Sequence, residues 1–218
     1  MCFSSKTNGT HSKSLEPAQQ GQNSNGQNPY IVVVFGRTGV GVSSLVNLIV
    51  GSPVAQWHGD TRPCTQQTMA YTAAFAGKQF CVYDIPGYGG GFTDTEITEI
   101  IQDIKSKKGI DMLVYCLRKK RDTMMPSVFR EIRHVVPQKV PMVGVVTELE
   151  RQEGSVESWW TKNGETLEKM GITFDEHACV TTLAAEEVTG NERFSEFRLQ
   201  SQEAVRGILA RRCEGAKR

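Results

Sequence analysis

From Tyr30 onward the chain alternates between short runs that are apolar throughout and longer runs with an apolar residue every third or fourth position. The segment "YIVVVF" (30–35) is a continuous β-branched run, the pattern of a strand buried on both faces. "LVNLIV" (45–50) reads as the helix that follows it, closed by Gly51 and Pro53. "MAYTAAF" and "QFCVYDI" flank Ala76-Gly77-Lys78 and predict a hairpin with a glycine turn. In "TDTEITEIIQDIK" (93–105), Ile97, Ile100, Ile101 and Ile104 have helical spacing, and Thr93 is the expected N-cap. "DMLVYCL" (111–117) and "PMVGVVT" (141–147) are further buried strands, with a helix between them over roughly 123–136 whose start is blurred by Pro126. A helix over 155–171 ends before Gly171 and has a weak point at Gly164, "HACVTTL" (177–183) is the last strand, and 193–212 is a long final helix. About six strands and five helices in alternation specify an α/β fold, a mostly parallel sheet with helices on both faces. The hairpin makes one edge strand antiparallel.

The pattern stops at the N-terminus. Residues 1–29 are rich in Ser, Asn, Gln and Gly and nearly devoid of apolar side chains. Such a stretch cannot bury enough surface to offset its ordering entropy and is expected to be disordered. The 218 residues then divide into a tail (1–29), one domain (30–212) and a short C-terminal tail (213–218). A chain beginning at Asn28 is expected to melt at the same temperature as the full-length protein. A melt well below it in differential scanning calorimetry would place the boundary elsewhere.

Charge narrows the partners. A formal net charge of +1 gives no global field to attract nucleic acid or an anionic membrane. No run of 18 apolar residues is present, so no transmembrane segment is expected, and no apolar leader marks secretion. The six cysteines are scattered singly, and Cys81, Cys116 and Cys179 sit inside apolar runs, which fits a reduced cytoplasmic protein.

The candidate chemistry lies at the ends of the predicted strands. "GRTGVGVSS" (36–44) has the glycine spacing of a phosphate loop, G-x-x-x-x-G-K-S/T, between a buried strand and a helix. Its glycines let successive backbone N–H groups converge on phosphate at a helix N-terminus. The candidate phosphate contacts are Gly36, Arg37, Thr38, Gly39, Val40, Gly41, Val42, Ser43 and Ser44, and the lysine position is held by Val42. Asp84-Ile85-Pro86-Gly87 fits D-x-x-G at a strand end, with Asp84 a magnesium ligand and the Gly87 N–H a phosphate sensor. Ser43 is a second candidate metal ligand, and Thr65, preferred over Thr68, a third. "TELE" (147–150) sits where a guanine-reading N/T-K-x-D motif belongs. Glu150 keeps the carboxylate that accepts from guanine, and Glu148 stands in place of lysine.

Together "FGRTGVGVSSLVNLI", "CTQQT", "YDIPGYG", "MLVYCLR", "VVTELE", "WW" and "HACVT" resemble fungal G-domain-containing proteins, relatives of the septin-like and immune-associated GTPases. The resemblance covers about residues 30–210. It implies a Ras-like P-loop NTPase three-layer sandwich that binds GTP or GDP with Mg²⁺, and adds Thr182 to Thr147, Glu148 and Glu150 as guanine contacts. In that family the guanine-reading motif is commonly T-x-L-E, but the phosphate-loop lysine is usual, so Val42 is a departure. Its absence removes about two charge-assisted bonds, roughly 3–6 kcal/mol of binding. Tyr88 also replaces the glutamine that positions water in Ras-like enzymes. The expected protein is a nucleotide-loaded switch or scaffold with weak or no hydrolysis and no confident catalytic residue. It would act on an unidentified protein partner or as a homodimer. Two alternatives stand beside it: a slow GTPase completed in trans by Arg37 or a partner's residue, and a nucleotide-free pseudo-GTPase interaction module. Bland readings are preferred elsewhere: "RKKR" (118–121) as a solvated loop, and Trp159-Trp160 as one buried and one half-exposed helix residue.

Overall fold

The computed structural model describes residues 28–55, 67–120 and 122–215. The chain runs β1 (Tyr30–Gly36), α1 (Val42–Val50), β2 (Met69–Phe75), β3 (Lys78–Asp84), α2 (Asp94–Lys108), β4 (Met112–Arg118), α3 (Met125–Val135), β5 (Met142–Thr147), α4 (Ser158–Lys169), β6 (Glu176–Cys179), α5 (Ala185–Val188) and α6 (Glu192–Gly215). The strands form one sheet in the order β2-β3-β1-β4-β5-β6. β2 pairs antiparallel with β3, and every other pairing is parallel.

The unbroken apolar runs follow from burial on both faces. Along β1, Val33 and Phe35 join the core beneath α2, α3 and α4, while Val32 and Val34 join the core beneath α1 and α6. β4 divides the same way, with Leu113 and Tyr115 on one side and Met112 and Val114 on the other. A strand alternates its side chains between faces, so two helix layers demand an apolar residue at every position. The result is the three-layer sandwich with one antiparallel edge strand that the sequence pattern specifies.

Local signals placed most boundaries. Thr93 caps α2 in a capping box: its hydroxyl accepts from the Glu96 N–H at 3.2 Å, and its own N–H donates to the Glu96 carboxylate at 2.8 Å. The hairpin turn puts both Ala76 (φ 50°) and Gly77 (φ 69°) in the left-handed region, so β3 already begins at Lys78. Pro126, which blurs the sequence reading, occupies the first turn of α3, where a missing N–H costs nothing.

Other boundaries moved. α4 begins at Ser158 rather than 155, because Ser155–Glu157 form turns that lead into it. Gly164 is a packing requirement rather than a weak point: a β-carbon there would stand 3.0 Å from the Trp160 indole nitrogen. Trp159 and Trp160 are both half-buried, and Trp160 stacks on His177 at 4.0 Å. β6 pairs only to Cys179, after which the chain leaves the sheet, so Thr181 and Thr182 lie in a loop. The short α5 was not visible in the periodicity. α6 continues three residues past the expected end at 212, and buried Cys213 joins the core on the α1 side. The described cysteines Cys81, Cys116, Cys179 and Cys213 form no disulfide with one another. Residues 1–27, with Cys2, lie outside the described residues, as do Cys64 and Thr65.

Candidate functional site

β1 leaves the sheet at Gly36, where a β-carbon would overlap the Cys116 carbonyl oxygen and press on Val40. Only glycine allows so close an approach of loop to strand. The loop then bends through Gly39 (φ 80°) and Gly41 (φ 91°), and Gly41 is the N-cap of α1. Glycine offers no side chain to cap that helix end, and no acidic residue occupies its first turn. An uncapped helix N-terminus carries partial positive charge and outward N–H groups, which suits an anion.

Neighbouring strand ends hold the loop in place. The buried Thr147 hydroxyl donates to the Val40 carbonyl at 2.7 Å, and the Cys116 thiol approaches the same oxygen at 3.4 Å. Thr147 therefore acts at least as a brace for the phosphate loop. Arg118 donates to the Gly39 carbonyl at 3.3 Å and faces the Glu148 carboxylate at 3.6 Å. These contacts add a structural role to each residue. Arg118, still one-third exposed, reaches the phosphate loop, and Glu148, in a left-handed conformation (φ 59°), lies beside it. Glu150 receives the Thr181 hydroxyl at 3.5 Å, and the Thr182 hydroxyl lies 3.4 Å from where a Gly41 β-carbon would stand. Thr147 and Thr182 thus flank Gly41, and Glu150 meets Thr181, the residue before Thr182.

Asp84 ends β3, is 2% exposed, and has one carboxylate oxygen with no hydrogen-bond partner. Burial raises its pKa to about 6, partly offset by a hydrogen bond from Ser43. A buried carboxylate oxygen left without a partner beside a hydroxyl at the start of α1 fits a hard divalent cation, which takes oxygen ligands from protein and phosphate together. Among the described residues no cluster of three or more acidic, Cys or His side chains could hold a metal ion without phosphate.

The Gly87–Tyr88 segment packs directly on the phosphate loop. The Thr38 N–H donates to the Tyr88 carbonyl at 2.9 Å, the Thr38 hydroxyl to the Gly87 carbonyl at 2.8 Å, and the Tyr88 N–H to the Gly36 carbonyl at 3.2 Å. The Val40 N–H is engaged by Arg37 at 3.1 Å. So the Thr38 and Val40 amides, both proposed phosphate donors, are committed inside the protein in this arrangement. Tyr88, at the water-positioning place, is fully buried, and its hydroxyl meets Tyr115 at 2.6 Å and donates to Asp122 at 2.6 Å. Arg37 closes the chain of contacts by donating to Asp122 at 3.1 Å. Val42 is 9% exposed and belongs to the core under α1. Sequence reasoning missed Tyr115, Asp122, Arg118 and Thr181. A buried Tyr in "MLVYCLR" was the one available signal, since such a hydroxyl needs a partner.

Comparison with known proteins agrees with this layout. A family model described as 50S ribosome-binding GTPase matches residues 31–148, just over half of the chain. Translation initiation factor IF-2 of Anaplasma marginale (strain St. Maries) is 26% identical over 147 residues. That match takes in 66% of this chain but 16% of the factor, so the chain spans a small part of that relative's length. Toc33 from Arabidopsis thaliana, in complex with Mg²⁺ and GMPPNP, is similar with a TM-score of 0.58 at 18% identity, over 84% of this chain and 85% of that chain. A GTP-binding protein from the hyperthermophilic archaeon Sulfolobus solfataricus, in complex with GDP, gives 0.56 at 11% identity, over 86% of this chain and 53% of that one. At these identities the likeness is one of fold, and the fold is the Ras-like P-loop GTPase sandwich. For the chloroplast translocon components atToc33 and psToc159, dimerization is important for the GTPase activity.

Proposed function

This chain belongs to the family described as 50S ribosome-binding GTPase, and from that premise we propose that it binds guanine nucleotide with Mg²⁺ and hydrolyses it weakly or not at all. The observation that carries the reading is the buried Asp84 carboxylate, hydrogen-bonded by Ser43 and left with one unpartnered oxygen at the uncapped start of α1. Ser43 and Asp84 would hold the metal, and Thr65 remains a third ligand of the proposal. The metal would neutralise phosphate charge when bound. Gly41, Ser43 and Ser44 supply the phosphate end, and Thr147, Glu150 and Thr182 the guanine end.

Weak hydrolysis is supported by two side chains. Val42 brings no cation to the phosphates. Tyr88 is turned inward and held there by Tyr115 and Asp122, so it orients no water. The pairing of Arg37 with Asp122 weighs against Arg37 as a finger that completes a second copy. The T-E-L-E sequence at 147–150 supports placing the chain beside septin-like and immune-associated G domains, fungal ones among them. The single cysteines support a cytoplasmic location, and among the described residues no helix is long and apolar enough to cross a membrane.

Nucleotide released by heat from the purified protein should be guanine nucleotide when identified chromatographically. Titration with fluorescent GDP and ADP in Mg²⁺ should favour GDP by at least about tenfold, the scale of one well-made polar contact. Equal affinities would remove the guanine assignment of Glu150. Absence of both nucleotides, bound or titrated, would favour the nucleotide-free interaction module.

A further inference from the structure

On the nucleotide-binding reading, a phosphate chain laid along the start of α1 beside Ser43 and Asp84 directs its outermost phosphoryl group toward the outer turn of the phosphate loop. Among the described residues, the segment that follows Asp84 faces that turn. In this chain the gap between them is shut. Thr38 bonds the Gly87 carbonyl through its hydroxyl and the Tyr88 carbonyl through its N–H. A β-carbon on Gly87 would stand 2.6 Å from the Thr38 nitrogen, and one on Gly90 would overlap the Thr38 side chain. A space too small for a methyl group does not admit a phosphoryl group with three charged oxygens. Nothing comparable crowds Gly39, where a β-carbon would meet no atom within 4 Å.

The closure is held from behind as well. Tyr88 is anchored by Tyr115 and Asp122, and Asp122 is paired with Arg37, so the loop cannot swing outward without disturbing a buried network. We propose that Thr38 sets the nucleotide specificity of this site: it takes a nucleoside diphosphate, and a triphosphate enters only when the Thr38 contact with Gly87 and Tyr88 opens. The inference rests on the nucleotide-binding reading above and deepens it.

The test measures GDP and a non-hydrolysable GTP analogue against the full chain in Mg²⁺ by titration calorimetry. Wild type, Thr38→Ala and Thr38→Ser are compared, with circular dichroism to confirm folding. GDP should bind wild type at least about tenfold more tightly than the analogue. Thr38→Ala removes the hydroxyl bridge and leaves the backbone contact to open more readily, so it should narrow that ratio at least about threefold, while Thr38→Ser, which keeps the bridge, should stay near wild type. Equal affinities in the wild type overturn the inference and leave the nucleotide-binding reading standing. A ratio that survives in a folded Thr38→Ala protein overturns the role of Thr38. A folded wild type that binds neither nucleotide overturns the reading and the inference with it.

Discussion

Asp84→Asn is expected to stabilise the metal-free protein and to abolish its Mg²⁺-dependent affinity for nucleotide. Burial raises the folded-state pKa of Asp84 to about 6, above the ordinary aspartate value of 3.8. For an acid, a raised folded pKa means that the folded state holds the proton more tightly than the unfolded state does. Between about pH 4 and pH 6 the folded protein binds more protons, so stability falls as pH rises through that window. Above it, both states are ionised and the full cost persists, at most about 3 kcal/mol at 1.36 kcal/mol per pKa unit. Asparagine carries no charge and escapes this cost, although its amide hydrogens need partners of their own. The net gain near neutral pH should be about 1–3 kcal/mol, or roughly 2–4 °C in Tm for each kcal/mol. Melts from pH 4 to 8 in chelator should show the wild type losing stability toward pH 6 and the variant lacking that slope. With Mg²⁺ and GDP added, the wild type should gain stability by mass action and the variant should not. A variant that still gains from Mg²⁺ would separate Asp84 from the metal.

Val42→Lys is expected to split stability from binding. Val42 is nearly buried in the core that contains Val34, Val40 and Val114. A lysine stem can replace much of its apolar contact while the ammonium snorkels toward the loop mouth. Without nucleotide that ammonium meets little compensation, so the free protein should melt lower, by about 1–3 kcal/mol of stability. With a diphosphate bound, the ammonium gains one charge-assisted hydrogen bond, about 1.5–3 kcal/mol, or roughly 10- to 150-fold in affinity. A second such bond, for about 3–6 kcal/mol in all, would come from a third phosphoryl group, which the proposed Thr38–Gly87 closure keeps out. Calorimetric titration of GDP and melts with and without saturating Mg²⁺ and GDP read both effects. A lysine variant that is less stable and binds no better would overturn the phosphate loop and promote the nucleotide-free alternative. Hydrolysis should recover less than binding, because Tyr88 stays locked to Tyr115 and Asp122.

The sequence by itself determined the layers and most of the elements. Burial on both faces forces runs such as 31–35 and 112–117 to be apolar throughout, and the helix period marks Ile97, Ile101 and Ile104 as one buried face. Thr93, the Ala76-Gly77 turn and the glycines of the phosphate loop are equally legible, because each acts through its own backbone or a residue a few positions away. Element ends were less so. Turns at Ser155–Glu157 and the early exit of β6 depend on what the flanking segments pack against, and α5 is too short to show a period. What only the tertiary structure decided is how the site is held. Arg37 meets Asp122 across 85 residues and Thr147 meets Val40 across 107, and no spacing rule reaches that far. The same applies to Tyr88. Its place after Gly87 suggested a position for water, but the pairing of β1 with β3 and β4 brings Tyr115 and Asp122 behind it. A phenol with one buried and one half-buried partner turns inward, because leaving those partners unpaired would cost more than solvating its own hydroxyl would return.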